Sequence, residues 1–270
     1  MKYIFLDIDG TLFDHNTLCI PESTKKAVEL ARKRGNKIFI STGRSCCMLD
    51  LVDEIGFEGV IAAAGAYVKV GEEVIYEESI EKEKLKEIIS FCDEQNVAYI
   101  LEGRSGVYLD SKVTGFFNGM SSMDDSLKAF FSHKMFRGMN EYLEEEEIIY
   151  KMCLYALQEK DLFKVKERFS KGFHMVSGQA DERYPYSAEL LLLKNNKANG
   201  IRKAIEYSGA DMEDTIAIGD SLNDLEMIKE CTVGIAMGNA DERLKPHADF
   251  VTADIGRHGI YKAFERFQLI

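Results

Sequence analysis

Two aspartates close the first apolar run of this chain. Tyr3 to Leu6 carry no charged group, and Asp7, Ile8, Asp9, Gly10 and Thr11 follow at once. A short run of this kind reads as a strand buried on both faces, and Gly10 breaks the extended pattern, so Asp7 stands at a strand's C-terminal end. In extended geometry residues i and i+2 project to one side, which lets Asp7 and Asp9 face a common crevice while Ile8 packs the other way. Two carboxylates in one crevice repel. A hard cation such as Mg²⁺, with about six oxygen ligands, relieves the repulsion if it sits between them and a phosphate. The competing reading is a strand followed by an Asx-rich turn.

Three further clusters offer partners for such a pair. Thr42, Gly43 and Arg44 follow a second apolar run, Lys37 to Ser41. A Thr hydroxyl with neighbouring backbone N–H groups suits a phosphate oxygen, and it equally suits a helix N-cap. Lys197 lies in a polar stretch before a helical pattern, either as a solvated side chain or as a counter-charge, with Lys194 as its rival. Asp220 follows the run Thr215 to Gly219; with a helix starting at Ser221, Asn223 and Asp224 return to the same side three and four positions on. Capping accounts for Asp220 and leaves Asp224 unexplained.

Bringing these clusters together requires strands that end in one place. Between the first two runs, Pro21 to Arg34 carries Ala27, Leu30, Ala31 and Arg34 at helical spacing and stops at Gly35. The order strand, helix, strand implies a parallel sheet with a right-handed crossover, and such sheets bind ligands at the C-terminal strand ends. Gly59 to Ala64 reads as a third strand, followed by a hairpin of Tyr67 to Val70 and Glu73 to Tyr76.

The texture changes near residue 81. Leu85, Ile88, Ile89 and Cys92 form a helical stripe, and strands are predicted over 97–102, 106–110, 148–157 and 173–177, with a helix over 159–170. The acidic run Glu144 to Glu147 reads as solvated surface. Tyr184, Pro185 and Tyr186 read as a return linker, and Glu189 to Leu193 as a strand re-entering the first sheet. The pattern predicts two domains, 1–81 with 188–270, and an inserted α/β domain over 82–187.

Composition bounds the partners. The 270 residues are 46% hydrophobic and 30% charged, with a net charge of −12. That acidity argues against nucleic acid and anionic membranes as partners, so a phosphate must be held by local positive charge. No uncharged apolar run approaches the ~20 residues of a membrane helix, and the N-terminus lacks the pattern of a signal peptide, which points to the cytoplasm. The six cysteines are scattered without a C-x-x-C, so reduced thiols are expected.

The motifs D-x-D-G-T-L at Asp7, S-T-G-R at Ser41, K-x-x-G at Lys197 and G-D-S-x-N-D-x-x-M at Gly219 together resemble the haloacid dehalogenase-like (HAD) hydrolases, and the last resembles their Cof-type branch, subfamily IIB. The resemblance covers 1–81 and 188–270. It implies a Rossmann-like parallel-sheet core with an inserted cap domain that closes over the site and favours small phosphorylated metabolites such as sugar phosphates.

It also implies roles. Asp7 is the nucleophile that forms an aspartyl-phosphate, and Asp9 is the general acid and base. Asp7, Asp220 and the backbone carbonyl of Asp9 hold Mg²⁺, while Thr42, Gly43 and Lys197 bind the phosphoryl group. Asn223 and Asp224 orient the metal waters and the lysine. Arg44, Arg104, Arg183, Tyr184 and Tyr186 are candidates for reading the leaving group. Two positions depart from the branch pattern: Ala64 stands where Asn is common before Gly-Ala, and His258 where an acid is common before the late glycine. A phosphomutase of the same superfamily and a non-catalytic binding or regulatory protein on this scaffold are the alternative functions.

Overall fold

The computed structural model describes residues 1–113, 134–142, 146–177 and 185–270. The chain forms β1 (Tyr3–Leu6), α1 (Glu22–Lys33), β2 (Lys37–Ser41), β3 (Gly59–Ala62), β4 (Tyr67–Val70) and β5 (Glu73–Glu77). The middle segment supplies α2 (Lys82–Glu94), β6 (Ala98–Gly103), β7 (Val107–Leu109), β8 (Phe136–Gly138), β9 (Ile149–Ala156), α3 (Glu159–Phe169), β10 (Phe173–Ser177) and β11 (Tyr186–Leu192). The last supplies α4 (Lys197–Tyr207), β12 (Thr215–Gly219), α5 (Leu225–Glu230), β13 (Val233–Ala236), β14 (Phe250–Val251) and α6 (Gly259–Arg266). The α/β expectation therefore holds. Among the described residues no helix is long and apolar enough to cross a membrane.

Two compact units emerge, one of Met1–Arg44, Leu49–Glu77 and Asn195–Ile270, the other of Ser45–Met48 and Glu78–Lys194. The first is built on a sheet of order β14-β13-β12-β1-β2-β3-β4-β5, parallel from β14 to β3 and antiparallel through the hairpin β4-β5. β1 is central because Ile4, Phe5 and Leu6 leave no polar side chain to face water, and all three are fully buried. Chain order reverses at β1: β2 and β3 run to one side, β12 and β13 to the other. Such a reversal is where an open parallel sheet leaves a crevice at its strand ends. Helix α1 buries Thr24, Ala27, Val28 and Ala31, which takes in Ala27 and Ala31 of the predicted stripe but leaves Leu30 half-buried and Arg34 exposed, and it packs on α6, while α4 packs on α5.

The second unit has a sheet of order β10-β11-β9-β6-β7-β8, antiparallel except for β7 with β8. Alternation divides its strands: Tyr99, Leu101, Met152 and Leu154 join the core made with α2 and α3, and Ala98, Ile100, Val107 and Leu109 join a second cluster. Buried Lys151 lies 3.0 Å from Glu189 and 3.4 Å from Glu102, and these carboxylates hold it charged against its burial.

Two sequence readings change. Glu189 to Leu193 does not re-enter the parallel sheet; β11 starts at Tyr186 and pairs with β9 and β10. An apolar run signals a strand without naming the sheet it joins. Nor is the whole acidic run solvated, although 143–145 lie outside the described residues. Glu147 is buried and accepts from the backbone N–H of Arg104 at 2.9 Å, the Tyr108 hydroxyl at 2.6 Å and the Ser105 hydroxyl. Its carboxylate organises the turn between β6 and β7.

Candidate active site

The site lies where β1, β2 and β12 end. Asp7 follows β1, is 4% exposed, and its N–H bonds to Ile218 of β12 at 3.0 Å. The chain leaves extended geometry directly afterwards, because Gly10 turns with φ +84°. A side chain there would collide with the Asp220 carboxylate, so the glycine is what lets the two strand ends approach. Thr11 donates its hydroxyl to Asp220 Oδ1 at 2.8 Å, and Asn239 donates to the Gly10 carbonyl at 2.8 Å.

Lys197 enters from the first residue of α4, whose Asn196 caps the helix by accepting from the Asn199 N–H at 2.8 Å. The lysine is 1% exposed. Its Nζ donates to Asp7 Oδ1 at 2.7 Å, to Asn223 Oδ1 at 3.1 Å and to Asp224 Oδ1. The other oxygen of Asp224 accepts the backbone N–H of Asp220 at 2.9 Å and of Ser221 at 3.0 Å. Lys194 instead pairs with Glu78 at 2.8 Å, so of the two lysines it is Lys197 that contacts Asp7.

Ligand atoms of Asp7, Asp220 and Asp224 lie within 4.8 Å of one another. Three carboxylates face one lysine. Burial, then Asp224, push the Asp7 carboxyl well up against the pull of Lys197; burial and Asp224 push Asp220 up to about 7. Lys197 stays charged because Asp224 and Asp7 outweigh its burial. The excess of negative charge on hard oxygen donors fits a divalent cation such as Mg²⁺. Asp224 is committed to the lysine and two N–H groups, which leaves Asp7 and Asp220 as the better-placed carboxylate ligands.

Asp9 has different partners from Asp7. Arg44 grips it as a fork, Nε to Oδ2 at 2.7 Å and Nη2 to Oδ1 at 2.6 Å, and His15 Nε2 lies 2.9 Å from Oδ1. Burial alone would raise the Asp9 carboxyl, but hydrogen bonds from Arg44 and His15 hold it far below the usual range. Thr42 is fully buried at the end of β2, its Oγ1 accepting the Arg44 N–H at 3.1 Å, with Gly43 between them.

A family model for haloacid dehalogenase-like hydrolases matches residues 4–264. The chain belongs to the haloacid dehalogenase-like hydrolases. It is 31% identical over 272 residues to YkrA of Bacillus subtilis, covering 100% of this chain and 98% of that one. It is 27% identical over 284 residues to the phosphatase YwpJ of Bacillus subtilis, covering 96% and 97%. Among solved structures, the HAD subclass IIB sugar phosphatase BT4131 is similar at a TM-score of 0.79 and 30% identity, with 100% of both chains covered.

This hydrolase thus gathers Asp7, Lys197, Asp220, Asn223 and Asp224 in one hydrogen-bonded set, with Asp9, Thr42 and Arg44 linked in a second. Arg104 is exposed on the turn after β6, and Tyr186 opens β11. Arg183 and Tyr184 lie outside the described residues. Sequence reasoning missed His15, the role of Thr11 and Asn239. Thr11 was legible as part of D-x-D-G-T; a single histidine in a polar loop carries no comparable signal.

Proposed function

We propose that the protein is a Mg²⁺-dependent phosphatase that hydrolyses a small phosphorylated metabolite, of the sugar phosphate class, through an aspartyl-phosphate on Asp7. The observation that carries this reading is the buried Asp7 carboxylate held at 2.7 Å by Lys197 within a cluster of acids that calls for a cation. The names of its relatives, phosphatase and sugar phosphatase, point the same way. Asp7, Asp220 and the Asp9 carbonyl would hold Mg²⁺, which when bound supplies positive charge to the phosphoryl oxygens and screens Asp7 from Asp220.

Uncatalysed phosphate monoester hydrolysis is slow enough that enzymes accelerate it by up to ~10²¹-fold, chiefly by positioning and charge stabilisation. Lys197 fixes Asp7 and neutralises the phosphoryl group, and the Thr42 hydroxyl with the N–H of Gly43 hold its oxygens. Asp7 attacks phosphorus; the P–O bond to Asp7 forms as the bond to the leaving oxygen breaks, and Asp9 gives that oxygen a proton. Water then attacks the aspartyl-phosphate, Asp9 takes its proton, and the Asp7 carboxylate is restored. The grip of Arg44 and His15 favours ionised Asp9, the form needed for the second half. For the first, Asp9 must be protonated as the substrate engages Arg44. Arg44, Arg104, Arg183, Tyr184 and Tyr186 are the candidates for reading the leaving group.

The test is hydrolysis of p-nitrophenyl phosphate with Mg²⁺, with EDTA, and by Asp7→Asn. Nitrophenol release that disappears in both controls is expected. Release that survives Asp7→Asn would rule out the covalent route.

A further inference from the structure

His15 belongs to none of the motifs, yet the loop after β1 is built to bring it back to Asp9. Gly10 N–H bonds to the Phe13 carbonyl and Asp14 N–H to the Cys19 carbonyl, each at 3.0 Å, and the Asp14 carboxylate accepts the Asn16 N–H at 2.9 Å. The Phe13 ring meets the His15 ring edge-on, centroids 5.4 Å apart at 78°. His15 is 59% exposed and still places Nε2 2.9 Å from Asp9 Oδ1.

The two grips on Asp9 differ in kind. Arg44 spans both carboxylate oxygens, but it follows Thr42 and Gly43, the residues assigned above to the phosphoryl group. A dianion bound there competes with Asp9 for the guanidinium. His15 comes from Asp9's own loop and touches Oδ1 alone. When Arg44 turns toward the anion, His15 is the contact that remains, and it leaves Oδ2 clear. We propose that His15 is a positioning residue for proton transfer, donating from Nε2 to Oδ1 of Asp9 so that Oδ2 faces the leaving oxygen. In the first half-reaction the O–H bond at Oδ2 breaks and its proton passes to the leaving oxygen as the P–O bond to that oxygen breaks. In the second, Oδ2 takes a proton from the attacking water.

This rests on the phosphatase reading, and the experiment separates the two. Wild type, His15→Ala, His15→Gln and Asp7→Asn are assayed with Mg²⁺ on p-nitrophenyl, phenyl and benzyl phosphate, three esters of similar shape. Nitrophenolate departs without a proton, whereas the benzyl oxygen needs one. A misplaced general acid therefore harms benzyl phosphate most. For His15→Ala the ratio of kcat/KM on p-nitrophenyl phosphate to that on benzyl or phenyl phosphate should rise by about tenfold, through kcat rather than KM. His15→Gln, whose side-chain amide reaches the same oxygen, should stay near the wild-type ratio. A ratio that does not move in His15→Ala, or moves as far in His15→Gln, overturns the proposal while leaving the phosphatase reading intact. If wild type cleaves none of the esters, or Asp7→Asn cleaves them equally well, the reading itself fails and the role of His15 falls with it.

Discussion

Asp220 and Asp7 carry their proton more tightly in the folded protein than in the unfolded chain, and this gives the site a measurable pH signature. Burial, reinforced by Asp224, lifts Asp220 from an ordinary 3.8 to about 7 and moves Asp7 in the same direction. Between those values the folded state holds protons that the unfolded state has released, so stability falls as pH rises through that window. The Tm of the EDTA-treated protein should drop steadily from pH 4 to 7, and Mg²⁺ added near pH 6 should release protons detectable by calorimetry in buffers of different ionisation enthalpy. A flat Tm across this range would mean that the carboxylates are not electrostatically crowded. Much of this cluster was legible in the residues, because D-x-D-G, K-x-x-G and D-x-x-N-D each encode a local geometry. Glu147 was not, since an acidic run is judged by its average and a single member can be buried by the turn it organises.

Helix α4 shows how an element places a residue. Gly200, three positions after Lys197, lies against the Ile61 side chain of β3, where a Cβ would overlap it. In an exposed helix, Ala for Gly gains about 1 kcal/mol. Here Gly200→Ala should instead lose on the order of 1–3 kcal/mol by overpacking, and lower kcat by displacing Lys197. Urea unfolding with the double variant Ile61→Ala/Gly200→Ala checks the cause: the clash predicts that the second change recovers part of the loss of the first. The alternation of strand and helix around β1 was legible from periodicity, including β2 and β12 to the residue. Backbone conformation was less so. Ala64 and His258, the two departures from the family pattern, both adopt left-handed conformations, φ 52° and 64°. No composition rule reveals that an alanine will be held there, since the strain is met by the surrounding fold rather than by the residue.

At the scale of the molecule, Asp7, Asp9, Lys197 and Asp220, the residues proposed to attack phosphorus, hold the cation and neutralise the phosphoryl group, all lie in one compact unit. Ligand binding stabilises what it binds, so saturating Mg²⁺, at about 100 times its Kd, should add roughly 2.7 kcal/mol to unfolding of the first unit. Calorimetry should show that part of the transition moving up while an intrinsic probe of the second unit, such as Lys151-region tyrosine absorbance, moves less. A single transition shifting as a block would show that the two units unfold cooperatively. Strand order was the part least legible in the sequence, because nothing in β1 names β12 as a neighbour. That adjacency has a consequence for biosynthesis. The flank of β1 that accepts β12 must wait for roughly 140 residues after β5 to emerge, about 7–30 s at ribosomal rates of ~5–20 residues/s. Throughout that interval an apolar strand offers the translating cell an open row of N–H and C=O groups. Nascent chains stalled before Thr215 should therefore recruit chaperones that chains released beyond Gly219 do not.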